Sequence, residues 1–364
     1  MGMDDQTCFF PRGMATGIGS LPFEDPQEAL TLIWSALPEC PHWPQLPRRG
    51  RQEHFVHQFL QPLVACGILV FENERWFFDL SKQTSADSLT VFYSACLAAE
   101  EGDQEALRSF LPSAEAAAGL HAFVNQAANG ELLKNAVFVK GQIAGPLTVA
   151  LGMKDEQGRP AYYQGDLRDI VIRTLALNAR AQAAALALLG RAPIIFEDDP
   201  AVSASGSRLH LALSREAILE DLNSIFAAIR SEEGLAGVHC CEAVDWSLLT
   251  DSTVDIISVD TFRFGSSLIP YAVPLRDFLQ RGRTIAWGIV PTLDDSFGES
   301  AASLQQRLVH LWEQLFAGGP ALERVIRQSM ITPACGAGLL SREQALQIYR
   351  LTAEVSRRIG ELAK

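Results

Sequence analysis

The sequence contains no apolar stretch able to cross a bilayer. Its longest apolar runs, such as 183-AAALALLG-190, fall well short of the ~18–20 residues a helical span requires. Its first residues, MGMDDQTCFFPRG, are acidic and carry no apolar signal core, so a soluble cytoplasmic protein is expected. It has no lysine- or arginine-rich stripe either. With 30 basic against 43 acidic residues the net charge is −13, a surface that repels phosphate backbones and argues against a nucleic-acid partner. Cysteine is sparse, and its seven copies are an odd number scattered over 364 residues, which excludes a disulfide framework as the organising principle. No long polar linker interrupts the chain, so residues 1–364 are expected to form a single domain.

What is present is a core-forming composition, 48% hydrophobic and 20% charged. Short apolar or β-branched runs bounded by Gly, Pro or Asp read as buried parallel strands. There are eight: 15-ATGIGS-20, 67-GILVFE-72, 136-AVFVKG-141, 193-PIIFED-198, 236-AGVHCC-241, 254-VDIISVD-260, 284-TIAWGI-289 and 329-SMITP-333. Helical patterns lie between them at 26–37, 166–190, 214–233, 303–318 and 341–363, with Ser303 and Ser341 as N-cap candidates. Residues 76–135 read as a mostly helical insertion after the second strand. Eight strands alternating with helices predict an α/β fold of the (β/α)8 TIM-barrel type. A doubly wound sheet is the alternative that strand counting leaves open.

In such a barrel the chemistry gathers where strands end. The ends carry Ile18-Gly19-Ser20, then Glu72 with Glu74 beyond it, then Lys140-Gly141-Gln142 and Glu197-Asp198-Asp199. The later strands end in His239 and Cys241, in Asp260, and in a loop 332-TPACGAG-338 holding Cys335. Residues two apart on a strand share a face, so His239 and Cys241 point one way and Cys240 the other. Imidazole and thiolate are zinc ligands, and catalytic zinc sites commonly use three protein ligands and an open position. His239, Cys241 and Cys335 are therefore the expected metal ligands, with Asp260 as a fourth ligand or lying at the open position. Against this stand plainer readings. Buried cysteines are usually small hydrophobes, which is the expectation for Cys8, Cys40, Cys66, Cys96 and the outward Cys240. Asp199 and Asp294 are read first as helix caps.

These residues resemble the C-terminal catalytic barrel of cobalamin-independent methionine synthase, within the superfamily that includes uroporphyrinogen decarboxylase. The resemblance runs from about residue 14 to about 360. It rests on 17-GIGSLP-22, 140-KGQIAGPLT-148, 195-IFEDDPAV-202, His239-x-Cys241 and the Pro-Ala-Cys-Gly loop of Cys335. It implies a zinc cofactor and a homocysteine-like thiol substrate gripped by Ile18, Gly19, Ser20, Gln142 and Asp198, with Glu72 or Glu74 assisting. It further implies methyl transfer to that thiol, in methionine biosynthesis.

Departures from the family pattern bear on the donor. The family's glutamate ligand is replaced by Asp260, one methylene shorter. Its proton-donating histidine is absent from 287-WGIVPTLDDSF-297, which leaves Asp294 or Asp295 for that role. A folate-stacking tryptophan is missing near Gly152. A corrinoid protein or a small methyl compound is therefore a candidate donor. Two other readings accompany this one: a zinc- or thiol-binding homologue without catalysis, and a metal-free decarboxylase using Arg48, Arg49 and Arg51.

Overall fold

The computed structural model describes residues 9–79, 85–128, 130–205, 213–292, 298–320 and 322–362. Its strands, in chain order, are β1 (Met14–Ala15), β2 (Leu69–Glu72), β3 (Arg75–Phe78), β4 (Phe138–Ala144), β5 (Ala192–Asp198), β6 (Leu235–Cys240), β7 (Ile256–Val259), β8 (Thr284–Val290) and β9 (Ser329–Pro333). Seven of them form one parallel sheet in the order β1-β9-β8-β7-β6-β5-β4. Helices connect successive strands, as a parallel sheet requires.

The expected second strand is the main correction. Residues 69–72 do not enter the sheet but pair antiparallel with β3 in a separate hairpin. Its two-residue turn, Asn73-Glu74, has φ of 48° and 61°, the positive values of a type I′ hairpin turn. The span between the sheet edges β1 and β4 is instead bridged by the proline-rich segment 39-ECPHWPQ-45. Val137 and Lys140 donate their backbone N–H groups to Glu39 O (2.8 Å) and Pro41 O (2.9 Å), and Trp43 N–H donates to Lys140 O at 3.2 Å. On the other side Gln45 N–H donates to Gly19 O at 3.1 Å and Leu21 N–H to Gln45 O at 2.9 Å. The sheet is curled and TIM-barrel-like, and this segment bonds to β4 on one side and to Gly19 and Leu21, just past β1, on the other. Pro41 and Pro44 have no N–H to give, which is why the segment carries no strand signal in the sequence.

Strand alternation divides the core in two. Met14, Cys40, Ile194, Phe196, Ile256, Ala286 and Met330 make an inner cluster. Their neighbours Ile195, Val238, Cys240, Ile257, Ile285, Trp287 and Ile331 pack outward into the larger cluster shared with the helices. Strands buried on both faces need continuous apolar runs, which is the pattern that made them legible. Gly237 is required by this packing: a Cβ there would lie 2.3 Å from the Phe196 ring.

Among the helices, Pro26–Ala36 is capped by Asp25 and Arg342–Glu361 by Ser341. The helix Ala301–Phe316 is capped by Ser300, with Ser303 three residues inside it completing a reciprocal capping box, so the expected cap at Ser303 is corrected. The insertion is helical at Ser85–Glu100, Gln104–Arg108 and Ala118–Ala127, but its start, 75–78, is the hairpin strand β3. Phe92, Phe110 and Phe123 are buried there, and Asn178 of the long helix Gly165–Ala187 donates to Phe110 O at 2.8 Å.

Candidate metal centre

At the C-terminal end of the sheet, β6 delivers His239 on its inner face and the chain turns just past Cys240. Cys335 arrives from the loop after β9. One ligand atom from each of His239, Cys241 and Cys335 lies within 4.8 Å of the others. Cys240 points the other way, fully buried, with its thiol donating to Asp199 O at 3.4 Å. Alternation thus separates the adjacent sulfurs, as the sequence pattern implies.

The histidine is preset for a metal. Its Nδ1 shares a hydrogen bond of 3.0 Å with Ser258 Oγ on β7, while its Nε2 is buried without any partner. Buried polar atoms are nearly always satisfied, so an orphaned imidazole nitrogen facing two thiols invites a ligand. Burial, reinforced by the Lys140 ammonium, pushes His239 down to about 3, which keeps its ring neutral and its lone pair available. The neighbouring Cys335 thiol lowers the Cys241 thiol to about 7, while Cys335, facing Cys241 and largely buried, is pushed far up. This donor set of one imidazole and two sulfurs suits zinc, and the side chains present fit it.

Around the three donors the inner faces supply further polar groups. Asp198 ends β5 in register with His239, and its Oδ1 is buried without a partner. Burial raises its carboxyl to about 7 against the pull of Lys140. Lys140, on β4, is fully buried; its Nζ donates to Ile18 O (2.6 Å) and Gln142 Oε1 (3.2 Å) and lies 4.5 Å from the Phe196 ring centroid. Among the described residues it forms no ion pair within 4.0 Å. Burial lowers it to about 8. The amide nitrogen of Gln142 donates to Trp43 O at 3.1 Å.

The Ile18-Gly19-Ser20 stretch runs beside the loop that carries Cys335. Ser20 Oγ accepts from Gly338 N–H at 3.2 Å, and Ser20 O from Ala337 N–H at 2.9 Å. A Cβ on Gly336 would sit 2.1 Å from Ser20 Oγ, so the loop closes this tightly only because that residue is glycine.

Other expected residues fall elsewhere. Asp260 is fully buried at the end of β7, but both its oxygens are taken by Arg263: Oδ1 accepts the backbone N–H at 3.0 Å and Oδ2 the Nε at 2.6 Å. It is not part of the three-donor cluster. Glu72 and Glu74 are exposed on the separate hairpin, Glu74 paired with Arg51 at 3.2 Å, and neither joins the cluster. Asp199 is a cap, as expected, but of the helix Pro146–Gly152 that follows β4: it accepts from Leu147 N–H and Thr148 N–H, each at 2.9 Å. Asp294 and Asp295 lie outside the described residues. Two residues escaped the sequence reading. Ser258 is a lone hydroxyl in an apolar strand, two before Asp260, and that spacing was the available signal. Arg263 stands three after Asp260, the spacing of a side-chain pair on a helical turn.

No family model matches the chain, and no curated protein does. Among solved structures it is similar to a B12-independent methionine synthase from Shewanella sp. W3-18-1 in complex with selenomethionine, at 16% identity over 66% of this chain and 67% of that one, with a TM-score of 0.44. It is also similar to a GH113 β-mannanase from Alicyclobacillus acidocaldarius, at 16% identity over 67% and 79% of the two chains, with a TM-score of 0.34. Likeness at this level carries no activity across, and the two neighbours do different chemistry. Function is argued from the side chains.

Proposed function

We propose that this chain is a zinc-dependent methyltransferase acting on a small thiol such as homocysteine. In this reading the fold is a single-domain (β/α)8 barrel whose second position is filled by residues 39–45. The observation that carries the proposal is a buried His239 ring, unpartnered at Nε2, grouped within 4.8 Å of the sulfurs of Cys241 and Cys335 through one of its ring nitrogens. Those three residues would hold zinc, which when bound favours the thiolate form of a coordinated thiol, the form that is nucleophilic.

The remaining work belongs to the chain. Ser258 fixes the imidazole so that Nε2 faces the mouth. The free Oδ1 of Asp198 is available to accept a hydrogen bond from a substrate ammonium, a charge-assisted contact stronger than a neutral one. Ser20 and the Gly336–Gly338 turn brace the Cys335 loop against the end of the first strand. A decarboxylase would need free cations for several carboxylates. Arg48 is instead bonded to Leu340 O, Arg49 to Glu53 and Arg51 to Glu74.

The test begins with metal content. Purified protein should carry zinc near one per chain, and His239→Ala or Cys335→Ser should lose it. Methyl transfer to homocysteine is then assayed with a folate, a methylated corrinoid and a sulfonium donor. Absence of metal, or metal without product from any donor, would overturn the proposal.

A further inference from the structure

The expected fourth ligand, Asp260, has a different occupation, and it fixes an arginine beside the sulfurs. The Arg263 guanidinium is held on three sides. Nε donates to Asp260 Oδ2 at 2.6 Å, Nη2 donates to Cys241 O at 3.4 Å, and the Phe264 ring lies 5.1 Å from Cζ. Its side chain remains 40% exposed although its partner Asp260 is wholly buried. Among the described residues Nη1 takes no partner. The bond to Cys241 O puts the guanidinium beside the donor cluster.

A fixed arginine with an open donor edge is suited to one class of group. Carboxylate and related planar or tetrahedral anions match the N–H geometry, and preorganisation limits the entropy lost on binding. Arg49, Arg159 and Arg168, by contrast, spend their charge on carboxylates away from this rim.

We propose that Arg263, positioned by Asp260, is the anion-binding residue of this site and selects reaction partners that carry a carboxylate or similar anion close to the reacting sulfur or carbon. The inference deepens the thiol-alkylation reading by naming the substrate class. Asp260 is then a positioning residue, and its place at the end of β7 aims the arginine rather than ligating metal.

The test compares two alkylating reagents on one sulfur in the full chain treated with a chelator. Iodoacetate carries the anion and iodoacetamide does not, and peptide mass spectrometry reads modification at Cys241 alone. Both reagents report on the same thiolate, so a change in its protonation or accessibility cancels in the ratio of rates. Wild type should favour iodoacetate relative to an unstructured peptide around Cys241. Arg263→Met should lower the ratio about fivefold, and Arg263→Lys, which keeps the charge but not the fork or its bond to Asp260, should fall between Met and wild type. An unchanged ratio in Arg263→Met overturns the proposal, as does a ratio in Arg263→Lys as high as wild type, which would make charge alone the determinant.

On metal-loaded protein, 3-mercaptopropionate should bind tighter than 2-mercaptoethanol, and Arg263→Met should weaken only the former. Equal weakening of both thiols overturns the selectivity. Failure to take up metal would fell the zinc reading, while the alkylation ratio would still decide the role of Arg263.

Discussion

Replacing Ser258 with alanine tests how the metal centre is held. Ser258 is fully buried on β7, and its Oγ is the one described hydrogen-bond partner of the His239 ring, 3.0 Å from Nδ1. Without it the imidazole has no polar contact to set its rotation or tautomer. Losing such an outer contact to a metal-ligating histidine typically weakens metal binding ~10–100-fold, or about 1.4–2.7 kcal/mol. In the metal-free chain the same change leaves a second buried ring nitrogen unsatisfied, which costs about 1–3 kcal/mol of stability. Zinc affinity is measured by competition with a chromophoric chelator, stability by urea unfolding of the chelated protein, and His239→Ala sets the limit of complete ligand loss. Zinc affinity within about twofold of wild type would refute the idea that Ser258 presents the histidine, even if stability falls. If neither quantity moves, the imidazole is held by packing alone.

Three further expectations follow from the same geometry. Cys241→Ala should abolish stoichiometric zinc, whereas Cys240→Ala should retain it and cost only about 1 kcal/mol in urea unfolding, since that sulfur packs outward. Gly336→Ala drives a Cβ to 2.1 Å from Ser20 Oγ, so the Cys335 loop must shift; zinc affinity and about 1–3 kcal/mol of stability should be lost together. Glu197, on the outer face of β5, is fully buried with both carboxylate oxygens unpartnered, and burial, with Asp199 nearby, raises its carboxyl well above the usual range. A raised folded pKa means that stability is lost as pH climbs above the unfolded value, because only the unfolded chain can ionise there easily. Glu197→Gln should therefore stabilise the protein at pH 8 and make little difference near pH 4, a comparison read by urea midpoints at the two pH values.

The strands of the sheet were legible because burial on both faces demands unbroken apolar runs, and 193-PIIFED-198 or 284-TIAWGI-289 have no other common explanation. His239 and Cys241 were legible for a related reason: two-residue periodicity assigns a face without any knowledge of tertiary structure. The second sheet position was not. Residues 69–72 have strong strand character, and nothing local distinguishes a hairpin strand from a sheet strand, while residues 39–45 hide their role behind prolines. Asp260 was read as an optional fourth ligand, and the structure pairs it with Arg263, since a strand-end carboxylate can turn toward the mouth or toward the next helical turn. The arginine three residues later decides between them. Ser258 was passed over because one hydroxyl in an apolar strand gains meaning only when a register places it beside His239.

The proline-rich segment 39–45 has a consequence for how the molecule behaves among copies of itself. A curled sheet ending at β1 and β4 would offer two rows of unpaired backbone groups to any passing strand, the usual starting point for aggregation. Here one segment lies along β4 and bonds the chain that continues from β1 at Gly19 and Leu21. Its bonds use the N–H groups of Trp43 and Gln45 and the carbonyls of Glu39, Pro41 and Gln45. Because Pro41 and Pro44 cannot donate, a slip of one residue would put prolines where donors are needed, so the seam has a single workable register. The same residues that concealed the segment from a strand reading make it a stopper that fits only one way.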